Sequence, residues 1–361
     1  MPRLDSFLRV VVEQSASDLH FSSGAVPYIR RDGALEPLPF RCLSEVETRR
    51  FLFEILTTEQ LDRLQEEQTL DFVHGIEGVG RFRGNIFMHA TGIGSVFRII
   101  PDAAPSITQL GLPQAAADLV TQQSGLILVC GPTGAGKTTT AAAMLDVLNQ
   151  NTRRHIITIE DPIEFLHTSK ESVISQRQIG EHAQGYADAV KAALRESPDV
   201  LLVGELRESD TVMLALTAAD QGVLVFGTLH ASSSAQALLR ILDLFPEARR
   251  QEVQQLLGAH LQGIIAQRLL RCASGEGRTP NVELLLRTPA VTQLIRDGKA
   301  HQIEALLHSQ EMRDLGMCSF QHALAKLVST GVVALEDACA TAEDPDALAE
   351  EIHDLASKAA A

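Results

Sequence analysis

Hydrophobic and polar residues follow two different patterns along the chain. In the first hundred residues, short segments such as "SDLHFSSG" and "GRFRGNIFMHATGIGSVFRII" alternate apolar with polar positions and are separated by Gly and Pro turns. This alternation predicts an antiparallel sheet. Helices are predicted after Ser44, a suitable N-cap, and at the N-terminus. The N-terminal helix is expected to bury one face, formed by Leu4, Phe7, Leu8, Val11 and Val12. Residues 1–100 are therefore predicted to form a small α+β domain.

From Gly125 onward the apolar positions form continuous runs instead. The runs are "LILVC", "HIITIED", "VLLVGE" and "VLVFGTLH", with helical stretches between them. Such runs are typical of strands covered on both faces, so a largely parallel sheet with crossover helices is predicted. We predict a linker at 101–112 and a second domain at 113–361 that ends in a helical region. Its acidic last segment is expected to be a solvated helix with a short apolar face, formed by Leu348, Ile352 and Leu355.

Composition narrows the class of protein. The chain has 361 residues, 45% of them hydrophobic, which is enough for two cores. No apolar stretch approaches the roughly 18 residues of a membrane span, and no signal peptide is recognisable, so a cytoplasmic protein is expected. The five cysteines are isolated, which disfavours a disulfide framework or a structural zinc site. A formal net charge of −15 disfavours nucleic acid as the main partner, because affinity for phosphate backbones comes from Lys and Arg.

The segment "GPTGAGKT" lies between an apolar run that ends at Cys130 and a helical stretch. In such a loop, glycines let backbone N–H groups turn towards phosphate oxygens, and the lysine meets the β- and γ-phosphates. The following threonine hydroxyl can ligate Mg²⁺. We therefore predict a site for ATP and Mg²⁺. Its nucleotide-binding residues are predicted to be Gly131, Pro132, Thr133, Gly134, Ala135, Gly136, Lys137, Thr138 and Thr139, with Thr138 also a metal ligand.

Acidic residues end two of the predicted strands. Glu205 follows "VLLVG" and lies where open α/β sheets bind ligands, so it is a candidate either to orient the attacking water or to hold Mg²⁺ through a water. The stretch "TIEDPIEFLH" supplies Glu160, Asp161 and Glu164. We expect these carboxylates to converge on the magnesium and the water, with Glu164 best placed if the chain turns at Pro162. Glu160 and Asp161 could instead cap the turn or hold arginine side chains.

Basic side chains are needed to compensate the charge that develops on the γ-phosphate. His230 ends the strand "VLVFGTL" and is a candidate to sense that phosphate or to bond to Glu205. In the first domain, Arg81, Arg83 and Arg98 are either ordinary solvated charges or catalytic groups supplied to a neighbouring subunit. An arginine supplied in this way can raise hydrolysis by roughly 10³ to 10⁵, which would make a ring of subunits the active form.

These motifs occur in the order and spacing of a known family. From "ASDLHFSSG" through "GRFRGN", "GPTGAGKT", "TIEDPIEFLH", "DVLLVGELRESDT" and "FGTLHASS", nearly the whole chain resembles the secretion ATPases. The resemblance is strongest to the type IV pilus retraction ATPases of the PilT and PilU type. The tetracysteine insert of assembly and secretion relatives is missing, which favours retraction. One departure is "AVTQLIRD", where Thr292 replaces the first arginine of the "AIRNLIRE" motif of the PilT branch.

The resemblance implies a homohexamer with a PAS-like N-terminal domain and a RecA-like ATPase domain. Within it, Lys137 and Thr138 correspond to the Walker A motif, Glu205 to Walker B and His230 to the His box. Glu160, Asp161 and Glu164 correspond to the Asp box. ATP hydrolysis is then expected to drive pilus retraction and twitching motility through an inner-membrane platform protein, with the motor peripheral at that membrane. A paralogous retraction ATPase is a further expected partner.

Two other functions share the nucleotide motifs. A RecA-like helicase or DNA transporter would need basic, aromatic loops along a pore, whereas this chain has no Trp, two Tyr and an acidic balance. An accessory subunit that binds nucleotide with little turnover is disfavoured because every catalytic motif is intact. Stimulation by single-stranded DNA and phosphate release by the purified protein distinguish these alternatives.

Overall fold

The computed structural model describes residues 2–31, 33–100, 104–275 and 277–360. The chain divides into two compact units, Met1–Ala103 and Ala104–Ala361. Each unit contains one β-sheet with helices, which confirms the predicted α/β class. The domain limits drawn from the sequence stay a prediction, and the first three residues of the predicted linker lie outside the described residues. In the described part of the chain, no helix has both the length and the apolar character needed to cross a membrane.

The first unit contains a six-stranded sheet in the order β3-β2-β1-β6-β5-β4. Every neighbouring pair is antiparallel, as the alternating sequence predicted. Its strands are β1 (Asp18–Ser22), β2 (Tyr28–Arg31), β3 (Ala34–Pro37), β4 (Thr69–Ile76), β5 (Gly80–His89) and β6 (Gly92–Ile100). Its helices are α1 (Leu4–Glu13), α2 (Glu45–Phe53) and α3 (Thr58–Glu67).

Side-chain caps begin the two central helices of this unit. Ser44 accepts a hydrogen bond from the backbone N–H of Glu47, and the Glu47 side chain accepts one from the N–H of Ser44. Thr57 and Gln60 form the same reciprocal capping box at α3. The predicted cap at Ser44 is confirmed, and the second capping box starts a new helix within the same charged segment.

In α1 the buried face is narrower than predicted, because Val12 is exposed.

The second unit contains a seven-stranded sheet in the order β13-β12-β7-β11-β10-β8-β9. Neighbours are parallel from β12 to β9, and β13 runs antiparallel to β12. The four predicted strands are confirmed as β7 (Gly125–Cys130), β8 (His155–Glu160), β10 (Val200–Val203) and β11 (Leu224–Leu229). Three more strands were not predicted: β9 (Val173–Gln178), β12 (Leu261–Arg271) and β13 (Arg278–Leu286).

Helices surround this second sheet and continue beyond it. They are α4 (Gln114–Asp118), α5 (Lys137–Asn151), α6 (Tyr186–Ala193), α7 (Ser209–Asp220), α8 (Ser234–Asp243), α9 (Glu247–His260), α10 (Pro289–Arg296), α11 (Ile303–Leu307), α12 (Gln310–Asp314), α13 (Phe320–Ser329), α14 (Leu335–Thr341) and α15 (Pro345–Ala360). The "AVTQLIRD" motif lies on α10, which the Thr288 side chain caps through the N–H of Val291.

The central strands of the second unit are apolar on both faces. In β7, Leu126 and Leu128 belong to one hydrophobic cluster, whereas Ile127 and Val129 belong to a second cluster on the opposite face. Helices therefore cover both sides of the sheet, as expected for parallel strands. The strands β7, β8, β10 and β11 run in the same direction. The residues that follow them therefore emerge at the same sheet edge, which is formed by the C-terminal ends of these strands. The packed sheet positions that edge as a rigid platform.

The acidic C-terminal segment is not the solvated helix that we expected. Leu348 on α15 is fully buried in a cluster with Leu270 and Leu324, and Ile352 and Leu355 pack against it. The predicted apolar face is therefore correct, but it covers the rest of the unit. A charged contact reinforces this packing, as Glu351 lies 2.9 Å from Arg313 and 2.8 Å from His322.

Candidate active site

The loop after β7 has the geometry of a phosphate-binding loop. It leaves the sheet at Gly131, and α5 begins at Lys137. A Cβ at Gly131 would lie 2.3 Å from the backbone oxygen of Gln267, so only glycine fits there. Gly136, directly before the helix, has a φ of +85°, which favours glycine. The predicted strand, loop and helix are thus all present, and the N-terminus of α5 faces the loop.

Lys137 lies largely buried beneath this loop, with 9% of its surface exposed. Its Nζ donates hydrogen bonds to the backbone oxygens of Gly131 and Pro132, both at 3.0 Å. Burial lowers the pKa of the ammonium group, and the negative charges of Glu205 and Glu164 oppose that shift. Both carboxylates therefore lie within electrostatic reach of the lysine.

Glu205 occupies the position predicted for it after β10. Gly204 before it packs against the end of β8, because a Cβ there would lie 2.9 Å from the backbone oxygen of Ile159. The Glu205 Oε1 atom lies 3.5 Å from His230 Nε2 and 2.5 Å from Arg207 Nε. Sequence reasoning had not singled out Arg207, although it is two residues from Glu205 in the same motif.

His230 connects the lysine to the carboxylate. Its Nδ1 lies 3.4 Å from Lys137 Nζ, while its Nε2 faces Glu205. Burial, and then the charge of Lys137, lower the pKa of the imidazole, which favours the neutral ring at neutral pH. Since Lys137 can only donate and Glu205 accepts, the matching tautomer carries its proton on Nε2. His230 is thus in contact with Lys137 through one ring nitrogen and with Glu205 through the other.

The three carboxylates of "TIEDPIEFLH" do not share one environment. Glu160 is 5% exposed, and its Oε1 accepts hydrogen bonds from Thr158 Oγ1 at 2.6 Å and from Gln176 Nε2 at 3.1 Å. Asp161 is exposed. Glu164 is half-buried, and its charge acts on Lys137. Glu160 is therefore bound to neighbouring side chains inside the protein, whereas the charge of Glu164 reaches Lys137 and that of Asp161 reaches Arg207. Convergence of the three carboxylates on a magnesium ion and the attacking water stays a prediction.

The buried Glu160 carboxyl predicts a pH-dependent stability. Burial raises its pKa above the ordinary glutamate range, so the folded state holds this proton more tightly than the unfolded state does. The stabilising contribution of the protonated Glu160 carboxyl is fully present below the pKa that this group has in the unfolded state. It is lost as the pH rises through the pKa that the group has in the folded state. Between those two pKa values, the contribution of Glu160 to the free energy of unfolding falls by at most about 1.4 kcal/mol for each unit of pH. We expect Glu160→Gln to gain stability relative to wild type as the pH rises, measured by urea unfolding between about pH 4 and pH 8.

Glu181→Gln is the matched control for that measurement, because Glu181 is exposed in the same unit. Its stability should follow wild type across the range. A stability difference between Glu160→Gln and wild type that stays constant with pH would show that Glu160 titrates normally.

The three candidate arginines lie on one face of the sheet in the first unit. Arg83 pairs directly with Arg98 across β5 and β6, and Arg81 is two positions along β5. Arg98 Nε lies 2.7 Å from Oδ1 of the buried Asp18, whereas Arg83 Nε lies 3.9 Å from Asp71. Because these arginines belong to a different unit from the phosphate loop, their role towards the γ-phosphate stays a prediction.

The side chains at the sheet edge fit a magnesium nucleotide. Mg²⁺ in nucleotide sites is held by few protein oxygens, with phosphates and waters completing the octahedron. Thr138 offers a partly exposed hydroxyl in the first turn of α5, and Glu205 offers a carboxylate nearby. Both predicted metal residues therefore have the required chemistry.

One further side chain beneath the loop was missed. Gln267 on β12 is 1% exposed, and it contacts both Ala135 in the loop and Thr140 on α5. A signal was present in the sequence, since Gln267 is a polar residue within the apolar run "GIIAQRLL".

In this largely parallel sheet, β7 leads through a glycine loop into α5, and a buried lysine, a histidine and a carboxylate lie at the C-terminal ends of the strands. This arrangement defines a P-loop ATPase. The model of the type II/IV secretion system protein family matches residues 2–351. The chain therefore belongs to this family.

Similarity to individual members extends over nearly the whole chain. The type IV pilus retraction ATPase PilT of Pseudomonas aeruginosa is 39% identical over 343 residues, which cover 95% of this chain and 99% of PilT. The type IV pilus ATPase PilU of the same organism is 35% identical over 95% of this chain and 90% of PilU. A crystal structure of the pilus retraction motor PilT with bound ADP superposes with a TM-score of 0.88 at 40% identity, covering 97% of this chain and 99% of that one.

Proposed function

We propose that this chain is a ring-forming ATPase that hydrolyses ATP to drive type IV pilus retraction and twitching motility. The observation that carries the proposal is similarity to PilT across both units, over 95% of the chain. A likeness confined to the phosphate loop would support ATP binding alone. The shape match to the ADP-bound PilT structure supports the same site for this chain's nucleotide.

Each side chain at the sheet edge receives a role in this proposal. Backbone N–H groups of the glycine loop between Pro132 and Lys137 would hold the phosphates, Lys137 would neutralise the terminal phosphate oxygens, and Thr138 would hold Mg²⁺. Glu205 orients the attacking water and accepts its proton, or holds the ion through a water. Bound Mg²⁺ would supply charge neutralisation at the phosphate oxygens.

The remaining side chains at this edge position the reacting groups. The neutral His230 keeps Lys137 and Glu205 at a fixed spacing and responds when the terminal phosphate leaves. Glu164 supplies a second carboxylate on the side of the loop, where it contributes to orienting the water.

The active form is proposed to be a homohexamer in which each subunit has a PAS-like N-terminal domain and a RecA-like ATPase domain. In the ring, Arg81, Arg83 and Arg98 would supply positive charge to the γ-phosphate bound by a neighbouring subunit. Arg98 can do so only if its contact with Asp18 opens. The ring would act on a platform protein of the inner membrane, as a peripheral cytoplasmic motor without nucleic acid, and a paralogous retraction ATPase is a further partner.

Deleting the gene in the native host tests this function. We expect cells with more surface pili than wild type and without twitching, because filaments are still assembled but not withdrawn. Motility should return with the wild-type gene and with Glu208→Gln, but not with Glu205→Gln. Pilus counts by electron microscopy and the width of twitching zones measure the result. Cells without pili after the deletion would indicate an assembly motor and contradict the proposal.

An accessory, PilU-like role is the second candidate, since PilU is 35% identical over the same share of the chain. It is less well supported than the PilT-like role, for which the identity is 39%. In the accessory role, the deletion strain would keep part of its motility. The Glu205→Gln variant would then restore the remainder as well as wild type does.

A further inference from the structure

We propose that Gln267 is a positioning residue for the phosphate loop: it sets the direction of the loop's backbone N–H groups and is required for tight binding of nucleotide phosphates. The proposal rests on the ATPase function above and adds a residue to it. Gln267 comes from β12, a strand far from the loop in sequence, and it does not touch the nucleotide in this role.

The backbone of Gln267 fixes the start of the loop. In the parallel pairing of β12 with β7, Ala266 lies opposite Cys130, the last residue of β7. Gln267 therefore lies beside Gly131, the first residue of the loop. The distance of 2.3 Å from an added Cβ on Gly131 to the Gln267 backbone oxygen shows how closely the two chains approach.

The side chain of Gln267 fixes the end of the loop. Its Nε2 donates a hydrogen bond to the backbone oxygen of Ala135 at 2.5 Å. Its Oε1 accepts one from Thr140 Oγ1, in the first turn of α5, at 2.9 Å. The amide orientation follows from chemistry, because a backbone oxygen can only accept. With 1% exposure, water does not compete for either bond.

The bond to Ala135 has a direct consequence for phosphate binding. The peptide bond between Ala135 and Gly136 is trans, so the Ala135 carbonyl and the Gly136 N–H point in opposite directions. Holding the carbonyl against β12 therefore turns the N–H away from β12. A preorganised donor costs no rearrangement when the phosphate arrives, which is the condition for strong anion binding at such loops.

Packing alone does not explain a glutamine at this place. The neighbours in the strand, Ile264, Ile265 and Ala266, are apolar and fully buried. A buried amide is costly unless both its donor and its acceptor are satisfied. Here the two partners belong to the loop and to the helix that carries Lys137, so the cost is offset by contacts with the phosphate site.

The test compares two substitutions in the full-length protein. Gln267→Met keeps the side-chain length and removes both hydrogen bonds, whereas Thr140→Val keeps the shape and removes only the bond to the helix. We expect Gln267→Met to weaken binding of a fluorescent ADP with Mg²⁺ at least about tenfold. Thr140→Val should stay within about threefold of wild type. In the absence of nucleotide, the two variants should have similar unfolding temperatures to each other.

A third variant separates positioning from general stability. Gln267→Glu keeps the acceptor for Thr140 but has a donor for the Ala135 oxygen only when its carboxyl is protonated. ADP binding by this variant should be weak at about pH 8 and should recover, relative to wild type, as the pH is lowered to about 6.

Three outcomes would overturn the proposal. One is wild-type ADP affinity in Gln267→Met, and another is an equal loss in Gln267→Met and Thr140→Val. If Gln267→Met does not fold, a pH-independent loss in Gln267→Glu decides against it as well. Failure of the wild-type protein to bind ADP would instead contradict the ATPase function itself.

Discussion

Replacing Glu205 with glutamine will slow ATP hydrolysis at least about 10²-fold while leaving the affinity for ATP nearly unchanged. Glutamine keeps the shape of the side chain but cannot take a proton from water. The Glu205 carboxylate lies at the end of β10, 3.5 Å from His230, where the terminal phosphate is expected to lie. Phosphate release by the purified protein and equilibrium binding of ATP measure the two quantities separately.

Glu208→Gln provides the control, since it makes the same change three residues further on, at an exposed position. Its hydrolysis rate should match wild type. The dependence on Mg²⁺ then distinguishes the two roles of Glu205, because a variant that regains activity at high Mg²⁺ has lost a metal contact. Unchanged turnover in Glu205→Gln would show that another group activates the water.

A larger loss is expected at Lys137, where Lys137→Gln should lower kcat/KM for ATP by at least about 10³-fold. The substitution removes the positive charge that the loop holds towards the phosphates, and so it affects both binding and hydrolysis. The fold should not suffer, because burial lowers the pKa of this ammonium group, and a buried charge favours the unfolded state. We therefore expect an unfolding temperature no lower than that of wild type.

Lys191→Gln is the matched control for Lys137. Lys191 lies on α6 with an exposed side chain, 3.9 Å from Asp188, so its loss should change neither kinetics nor stability. If Lys137→Gln retained most of its ATPase activity, the segment "GPTGAGKT" would not be the phosphate site.

The fold was predictable where burial leaves a simple pattern. The strands β7, β8, β10 and β11 lie inside the sheet, and their residues are apolar without alternation. The edge strand β9, with the sequence "VISQRQ", is only partly covered, and its polar residues gave no strand signal. On α15 the apolar residues were recognised, but no local pattern reveals which surface they cover.

The candidate site was predictable where its residues are close in the sequence. Lys137, Glu205 and His230 each follow a buried strand, and parallel strands bring such residues to one edge. The contact between Gln267 and Ala135 joins residues 132 positions apart, a separation that no local motif reports. For Glu160, strand alternation places its side chain on the same face as Thr158, which is the partner it has.

The packing of α15 against the rest of the second unit determines how this protein can be tagged for studies in cells. Its acidic sequence resembles a dispensable solvated tail. Truncating the chain before Leu348 would, however, expose the apolar side chains of Leu324 and Leu270. It would also remove Glu351, the partner of Arg313 and His322. Such a truncated protein should aggregate. The resulting loss of twitching would then be misinterpreted as a loss of ATPase function. A fluorescent reporter should therefore be attached to a protein that retains α15.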